Sequence, residues 1–457
     1  MFTPLDPKNY SFQFGHKKLV SSQLNKSRSL RGGDLTRLNK FILKNGLRVV
    51  LAPQKGALAA TVLILVEAGS EYETKDINGL SHFLEHLMFK GTKNRPKPGM
   101  IANELDGLGA EYNAFTGGQY TGYYAKVQKE KIEKAVELVS DLYLNPIFIA
   151  EEIEKERGVI IEEINMYEDT PMRRVHEIFT ALLYGDQPAG WDIAGRKEVI
   201  RELKRDQFAS YREKHYVASK TLVVVAGNFN EKKVQKQVMD LFSLLPRRGK
   251  LKKPKTTENQ IQPEVSVKFK ESDQSHLVLG VRAFDIFDKR KYALQVLANV
   301  LGGGMSSRLF HKVREDLGAA YYVRAEADLT LDHGILGVAA GVDHAKINLV
   351  IKAVLEEMTR LTKDLVPDIE IKKSKDHLIG NFILGLESSD ELASYYGGQE
   401  IITGKISSPE EVIKRIKLVK SEEIREVAGF IFKNPKLNLA VIGPYKDKES
   451  FRKILKF

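Results

Sequence analysis

The segment Phe41-Ile-Leu-Lys-Asn-Gly-Leu-Arg-Val-Val-Leu51 opens the first half of the chain with two short β-rich runs around the turn Lys44-Asn45-Gly46. An Asn-Gly pair between apolar runs is a strong hairpin signal, because the turn that joins two such strands requires positive φ angles. An apolar run from Thr61 to Val66 follows and predicts a buried strand. The sequence therefore predicts that the first half begins with an antiparallel sheet.

The same order of elements occurs twice along the chain. Each half has strands, a helix, more strands and long helices, and each contains a late apolar strand, Thr221–Ala226 in the first and Leu437–Val441 in the second. This order favours an α+β fold over a doubly wound parallel sheet. We expect two homologous domains, each an antiparallel-rich sheet covered on one face by helices. The predicted segments are a basic tail at 1–33, a first domain at 34–245, a basic linker at 246–264 and a second domain at 265–457.

The composition excludes several classes of protein. The 457 residues are 42% hydrophobic, which is enough to build packed cores. No apolar run reaches the ~18 residues of a membrane helix, and the first residues lack the apolar core of a secretory signal, so we expect a cytoplasmic protein. The chain has no cysteine, which excludes disulfides, thiol nucleophiles and thiolate zinc sites. Any metal site must therefore use His, Asp or Glu.

The net charge of +11 is concentrated in two segments, the tail and the start of the linker. Their basic residues are Lys8, Lys17, Lys18, Lys26, Arg28 and Arg31 in the tail, and Arg247, Arg248, Lys250, Lys252, Lys253 and Lys255 in the linker. A nucleic-acid groove places basic side chains on one face of a folded domain, so this distribution does not favour one. A flexible tail and a solvated linker are the simpler interpretation, with organelle targeting by the tail as an alternative.

The residues best suited to metal binding and proton transfer lie in Ser81-His-Phe-Leu-Glu-His86. On a helix, His82 and His86 are one turn apart and Glu85 leaves the same face, whereas the opposite stripe is apolar. Two imidazoles at this spacing can share a tetrahedral zinc ion, and a carboxylate between them can accept a proton from water beside the metal. This is the inverted form of the H-E-x-x-H arrangement. Two helical histidines without a metal remain the alternative.

A site with two histidines needs a carboxylate to complete it. Glu156 and Glu163 are seven positions apart and share one helix face, and Glu162 points about a quarter-turn away. The spacing alone does not choose among these three residues. An ordinary acidic helix is also compatible with it.

Several motifs, in order, resemble the pitrilysin- or insulinase-type zinc metallopeptidases, the inverzincins, and most of all mitochondrial processing peptidase subunits and their bacterial relatives. The matching segments are Ser81–Thr92, Tyr112–Thr116, Tyr123–Lys126, Glu156–Glu163, Gly302–Phe310 and Arg314–Tyr321. The residue pattern separately predicts a helix over Ser307–Leu317. The similarity runs from about Phe41 to the carboxyl terminus. Gly185–Trp191 departs from the family's His-Pro-containing segment, which leaves substrate selectivity open.

The resemblance implies a zinc-dependent endopeptidase with one Zn²⁺ per chain, held by two histidines and a glutamate beside a glutamate general base. The residues that match the family's functional positions are the zinc ligands His82, His86 and Glu163, the general base Glu85, the supporting acid Glu156, the substrate-pairing strand residues Asn113 and Ala114, and the pair Arg314 and Tyr321 that approaches the scissile carbonyl. The implied substrates are unfolded peptides or presequence-like segments.

The resemblance also implies an assembly. Long members of the family enclose their substrate with four such domains, and this chain has two. A homodimer is the simpler expectation because both halves carry their motifs, and a heterodimer with a related subunit is the alternative. A catalytically inactive scaffold subunit is disfavoured by the intact His82, Glu85 and His86. Phosphate binding at the turn Gly302–Gly304 is disfavoured because no Lys-Ser/Thr follows it.

Overall fold

A computed structural model describes residues 38–247, 249 and 251–457, so the predicted tail at 1–33 lies outside the described residues. The chain forms two compact units. Unit 1 contains the described residues up to Ile164, Asp192–Pro254 and Leu384–Ile406, and unit 2 contains Asn165–Trp191, Lys255–Ile383 and Ser407–Phe457. Within the described ranges, no helix combines the length and the apolar character that a membrane crossing requires.

The part of the chain that the structure describes contains eleven strands and fifteen α-helices. The strands are β1 (Asn39–Ile42), β2 (Arg48–Pro53), β3 (Ala59–Val66), β4 (Glu111–Thr116), β5 (Thr121–Gln128), β6 (Thr221–Gly227), β7 (Glu264–Phe269), β8 (Ser275–Arg282), β9 (Ala320–Leu329), β10 (Gly334–Val342) and β11 (Leu437–Gly443). The helices are α1 (Leu80–Met88), α2 (Met100–Gly107), α3 (Ile132–Leu144), α4 (Ala150–Glu168), α5 (Pro171–Tyr184), α6 (Lys197–Glu202), α7 (Arg205–His215), α8 (Glu231–Phe242), α9 (Lys291–Gly302), α10 (Ile347–Lys363), α11 (Asp368–Leu384), α12 (Ser389–Thr403), α13 (Pro409–Leu418), α14 (Ser421–Ile431) and α15 (Glu449–Ile454).

Each unit is built on one sheet. In unit 1 the strand order is β1-β2-β6-β3-β5-β4, and in unit 2 it is β7-β11-β8-β10-β9. One pair in each sheet is parallel, β2 with β6 and β7 with β11, and the other neighbours are antiparallel. The predicted hairpin is present between β1 and β2, and Gly46 at its turn has a φ of 93°. The predicted class, two homologous α+β domains, is confirmed.

Helices cover both faces of each sheet, whereas the sequence predicted one covered face. In unit 1, Val62 and Ile64 of β3 belong to the core beneath α3. On the opposite face α12 packs on β3 and β6, and it approaches so closely that a Cβ added to Gly397 would lie 2.8 Å from Leu65. In unit 2, α5 packs on β8 and β11. The ring of Phe179 lies over Gly280, where an added Cβ would come within 2.9 Å of it.

The two compact units differ from the predicted domain boundaries of 34–245 and 265–457, because the helices α5 and α12 each belong to the other unit. Asn165–Trp191, which contains α5, belongs to unit 2, and Leu384–Ile406, which contains α12, belongs to unit 1. The physical reason is that each sheet has a second apolar face that must be buried. The composition of a helix indicates that it is buried, but not which sheet it covers.

Buried polar contacts hold α12 on its sheet. Glu400 pairs with Lys40 at 2.6 Å and with Arg48 at 3.6 Å, and its side chain is 1% exposed. At the other end of α12, the hydroxyls of Ser389 and Thr61 lie 2.8 Å apart. A buried carboxylate is costly without partners, so these pairs fix where α12 lies on the sheet.

The predicted solvated linker is partly packed. Lys253 is 8% exposed, and its Nζ lies 2.8 Å from Oε2 of Glu71. The amide of Gln119 donates to the same carboxylate oxygen at 3.1 Å. This part of the linker is therefore attached to unit 1 near the turn between β4 and β5.

Candidate active site

The helix α1 presents its polar residues on one side and buries the other. Its buried residues are Leu80, Ser81, Phe83, Leu84, Leu87 and Met88. Phe83 packs edge-on against Phe208 of α7, with ring centroids 4.8 Å apart. This packing fixes the rotation of α1 about its axis, because the apolar stripe can face only the core. His82, Glu85 and His86 consequently lie together on the less buried side.

The imidazoles of α1 meet a carboxylate of α4. Oε2 of Glu163 lies 3.6 Å from Nε2 of His82 and 3.5 Å from Nε2 of His86. One ligand atom from each of the three residues lies within 4.8 Å of the other two. The exposed Glu162 is not part of this group.

The three donors fit a zinc ion. Zinc bonds of ~2.0–2.1 Å in a tetrahedron place neighbouring ligand atoms about 3.3 Å apart, close to the separations found between Glu163 and the two histidines. Two imidazole nitrogens and one carboxylate oxygen also form a common ligand set of catalytic zinc sites, which leave a fourth position for water or substrate. The residues present therefore fit zinc in both donor type and spacing.

Glu156 orients one of the imidazoles from behind. Nδ1 of His86 lies 3.2 Å from Oε1 of Glu156, and Lys90 pairs with the other oxygen of this carboxylate. Burial raises the pKa of Glu156, but the hydrogen bonds from His86 and Lys90 outweigh it, so this pKa is lowered. The carboxylate therefore stays ionised, accepts the Nδ1 proton of His86 and leaves Nε2 with a lone pair that can bind a metal ion.

The environment of His86 favours a positive charge. Burial lowers the pKa of His86, but the Glu156 hydrogen bond and the negative charges of Glu85 and Glu163 outweigh it, so this pKa is raised. A site that attracts a proton to an imidazole also attracts a metal cation, because both are stabilised by the same carboxylates.

Glu85 lies beside the three donors and is held by the sheet. The hydroxyl of Thr116, the last residue of β4, donates to Oε2 of Glu85 at 2.6 Å. Burial raises the pKa of Glu85 to about 7, although the charge of His86 and the hydrogen bond from Thr116 lower it. A dication held by the neighbouring histidines would bring the pKa of Glu85 down from this raised value. Glu85 is thus a carboxylate able to exchange a proton near neutral pH.

Asn113 and Ala114 lie on an edge strand, as the resemblance implies. Their strand, β4, pairs with β5 and is the last strand of the unit 1 sheet, with no further neighbour among the described residues. Oδ1 of Asn113 accepts a hydrogen bond from the backbone amide of Ala114 at 2.9 Å. The same strand ends at Thr116, which contacts Glu85, so the edge strand and the carboxylate are directly connected.

Arg314 and Tyr321 are neighbours in unit 2. The guanidinium carbon of Arg314 lies 6.0 Å from the centre of the Tyr321 ring, which is 69% exposed. The helix predicted over Ser307–Leu317 is present in part as a π-helix (Phe310–Asp316), which carries Arg314. Tyr321 follows at the start of β9, where the pairing with β10 shifts by one residue. Both side chains are therefore placed by irregular backbone, which is common at functional sites.

The roles of Thr116 and Lys90 were not predicted from the sequence. Both lie inside motifs that carried the resemblance, Tyr112–Thr116 and Ser81–Thr92. A signal was available for Lys90, which follows His86 by four positions, one helical turn. No comparable signal was available for Thr116, because its contact with Glu85 joins residues 31 positions apart.

Comparison with known proteins identifies the family. The model for Insulinase (Peptidase family M16) matches residues 48–197, and the model for the Peptidase M16 inactive domain matches residues 202–378. The chain belongs to peptidase family M16. This membership confirms the resemblance to insulinase- and pitrilysin-type enzymes, and the closer likeness to mitochondrial processing peptidase subunits stays a prediction.

Relatives of this M16 protein are named as zinc proteases. The zinc protease YmxG of Bacillus subtilis is 34% identical over 410 residues, covering 89% of this chain and 98% of that protein. A zinc protease of Rickettsia felis is 34% identical over 407 residues, covering 88% and 96%. The protein is accordingly a zinc metalloprotease, with Zn²⁺ as its cofactor.

Solved structures agree on the fold. A protease from Helicobacter pylori superposes with a TM-score of 0.84 at 24% identity, covering 90% of this chain and 100% of that chain. A peptidase M16 inactive domain from Pseudomonas fluorescens gives a TM-score of 0.82 at 17% identity, covering 90% and 98%. Two homologous α+β domains are thus the shared architecture.

Proposed function

We propose that this M16 protein is a zinc-dependent endopeptidase in which His82, His86 and Glu163 hold the metal. The observation that carries the proposal is that Oε2 of Glu163 on α4 lies 3.6 Å and 3.5 Å from the Nε2 atoms of His82 and His86 on α1. Two imidazole nitrogens and one carboxylate oxygen at this spacing match a ligand set of catalytic zinc sites.

The roles of the other residues follow from their positions. A bound zinc ion polarises a peptide carbonyl and lowers the pKa of water toward ~7. Glu85 accepts a proton from the attacking water on the oxygen that Thr116 does not occupy, and then delivers it to the nitrogen of the leaving amine. Glu156 keeps the proton of His86 on Nδ1.

We propose that substrate binds as an added strand along β4. The open edge of β4 offers backbone groups beside Asn113 and Ala114, and the strand leads directly to Thr116 and Glu85. A peptide can pair with this edge only if its own backbone groups are free, so unfolded peptides and presequence-like segments are the substrates that fit. A folded domain would first have to open, at a cost of several kcal/mol.

We propose a dimer in which the zinc site of one chain works with Arg314 and Tyr321 of the other. In the long members of the family, the zinc residues lie in the first of four domains and the Arg/Tyr pair in the fourth. This chain supplies two such domains, so two chains supply four. The exposed ring of Tyr321 and the neighbouring guanidinium can donate to the carbonyl of the scissile bond. A homodimer is the simpler form because each chain carries both the zinc residues and the pair Arg314 and Tyr321.

The proposal is tested by metal analysis of the purified chain together with cleavage of an unstructured peptide mixture, with and without a chelator. We expect about one zinc per chain, cleavage that the chelator stops, and recovery when zinc is restored. His82→Ala serves as the matched control, and it should lose both metal and activity. Cleavage that persists in the metal-free protein would contradict the proposal.

A further inference from the structure

The amino-terminal end of α1 is buried and lacks a cap of its own. Gly79 is the N-cap residue, with a φ of 97° and no side chain to accept a hydrogen bond. The backbone of Ala194 and Gly195 packs against it so closely that a Cβ on Gly79 would lie 2.7 Å from the Ala194 carbonyl. Asn78 and Ser81 are buried on either side. The free amides of the first turn therefore need a partner from within the protein.

Glu73 supplies that partner from outside the helix. Its Oε2 accepts the backbone amide of Gly79 at 2.8 Å and the side-chain amide of Asn78 at 3.1 Å. Its Oε1 accepts the backbone amide of Ser81 at 2.6 Å. One carboxylate thus satisfies three donors at the end of α1, although it precedes the helix by seven positions.

Because α1 is short, the stability of its first turn depends more strongly on this contact than it would in a longer helix. With nine residues, α1 is shorter than the ~12–15 residues at which isolated helices become even marginally stable. His82 directly follows Ser81, so the turn that Glu73 secures is the one that carries the first imidazole. If this turn loosens, Nε2 of His82 loses its position relative to Oε2 of Glu163, 3.6 Å away.

The carboxylate is kept in place at an energetic cost. Glu73 is 1% exposed, and burial raises its pKa to about 7 although the hydrogen bonds from Ser81, Gly79 and Asn78 lower it. The charged form is the one that can accept all three hydrogen bonds. A negative charge at this end also interacts favourably with the helix dipole.

We propose that Glu73 is a positioning residue of the zinc site. It fixes the first turn of α1 and thereby the position of Nε2 of His82. The inference rests on the proposed role of His82 as a ligand. Glu73 itself touches neither the three donors nor Glu85 in the hydrogen bonds and ion pairs of the described residues.

The test measures zinc binding, not only turnover. The dissociation constant for Zn²⁺ is determined by chelator competition in the full chain, and the visible absorption of the Co²⁺-substituted protein reports the ligand geometry. The variants are Glu73→Ala and Glu73→Gln. The matched control is Glu400→Ala, which removes another carboxylate that is 1% exposed in unit 1 but lies on α12.

We expect Glu73→Ala to weaken zinc binding at least tenfold and to change the cobalt spectrum. Glu73→Gln should also weaken zinc binding, because its single carbonyl oxygen cannot accept from all three donors. The loss should be smaller than in Glu73→Ala, because that oxygen can still accept from some of them. Glu400→Ala should lower thermal stability but keep zinc affinity within twofold of the parent. If Glu73→Ala does not fold, Glu73→Gln decides the question.

Two results would overturn the proposal: unchanged zinc affinity and cobalt spectrum in the folded Glu73 variant, or an equal loss of affinity in Glu400→Ala. His82→Ala is measured alongside. Retained zinc in that variant would contradict the ligand assignment, whereas loss in His82→Ala without loss in the Glu73 variants would contradict the positioning role alone.

Discussion

The hydroxyl of Thr116 donates a hydrogen bond of 2.6 Å to Oε2 of Glu85, and this contact joins the edge strand of unit 1 to the carboxylate beside the candidate zinc ligands. The contact leaves the second carboxylate oxygen as the free acceptor. A general base with one oxygen fixed presents the other in a defined direction, which reduces the reorganisation needed when a proton is transferred.

Replacing Thr116 tests this relationship. Thr116→Val keeps the shape of the side chain and removes the donor, and we expect kcat to fall about 10- to 100-fold, because a hydrogen bond to a charged group contributes about 1.5–3 kcal/mol. Zinc content should not change. Thr116→Ser, which retains the hydroxyl, should recover most of the activity. Equal kcat in the valine variant and the parent would show that the contact does not matter for catalysis.

Glu85→Gln should abolish peptide hydrolysis while zinc stays bound. The amide has the same shape but cannot accept the proton of the attacking water, and Glu85 is not among the three grouped donors. Peptide cleavage and zinc content are measured on the same preparation. Loss of the metal in this variant would mean that the roles of Glu85 and Glu163 have been exchanged.

Glu163→Gln should show the opposite pattern, with lower zinc occupancy and, as a consequence, lower activity. An amide oxygen is a weaker zinc ligand than a carboxylate, and the two histidines alone leave the site incomplete. Glu162→Gln is the matched control, since Glu162 is the adjacent residue on α4 and is exposed. Normal zinc content in the Glu163 variant would move the third ligand to Glu156 or Glu162.

The proposed dimer predicts complementation between inactive chains. His82→Ala and Arg314→Ala chains are mixed under conditions that allow dimers to exchange. A mixed dimer then contains one intact zinc site and one intact Arg/Tyr pair on opposite chains, so one working site is restored. Random pairing makes half of the dimers mixed, and activity should approach roughly a quarter of the parent value. No recovery after demonstrated exchange would place the pair on the same chain as the site it serves.

Acid should destabilise the protein through His215. Burial and the charges of Lys220 and Lys214 lower the pKa of this imidazole to about 3, and Lys220 lies 3.5 Å from its Nδ1. The unfolded chain binds a proton at His215 below pH ~6.5 and the folded chain does so only near pH 3, so stability falls as the pH falls through this window, by up to about 1.4 kcal/mol per pH unit.

The variant His215→Asn removes this titration while keeping an acceptor for Lys220. It loses the stacking on Tyr211, whose ring centroid lies 4.2 Å away, and should be less stable at pH 7.5. Between pH 7.5 and pH 5, however, it should lose about 2 kcal/mol less of its free energy of unfolding than the parent does. Urea unfolding of both metal-free proteins measures the difference. Parallel pH profiles would contradict the assignment.

The sequence predicted those features that repeat with a local period. The apolar stripe of α1 determined the direction of His82 and His86, and alternating or continuous apolar runs located strands such as β3 and β6. The third donor was different, because the spacing alone did not choose among Glu156, Glu162 and Glu163, and only the resemblance separated them. The contacts of Thr116 with Glu85 and of Glu73 with α1 involve side chains that no periodicity relates.

The exchange of helices could not be predicted for a similar reason. Leu392, Tyr396 and Ile401 are buried on different sides of α12. Apolar residues on more than one side indicate that a helix is buried, but they do not identify the sheet that it covers. The π-helix that carries Arg314 is another case, because a helical pattern at 3.6 residues per turn does not distinguish it from an α-helix.

The position of α12 has a consequence for how the protein is made. On the ribosome, the sheet of unit 1 has all its strands once Gly227 has emerged, but the helix that covers Leu65 and Val224 begins 162 residues later, at Ser389 (389 − 227). At about 5–20 residues per second, that apolar face waits roughly 8–30 seconds for its cover. During synthesis the nascent chain therefore exposes a surface that holding chaperones recognise. Translational pauses before Leu384 should prolong this exposure and increase aggregation, whereas pauses after Ile406 should not.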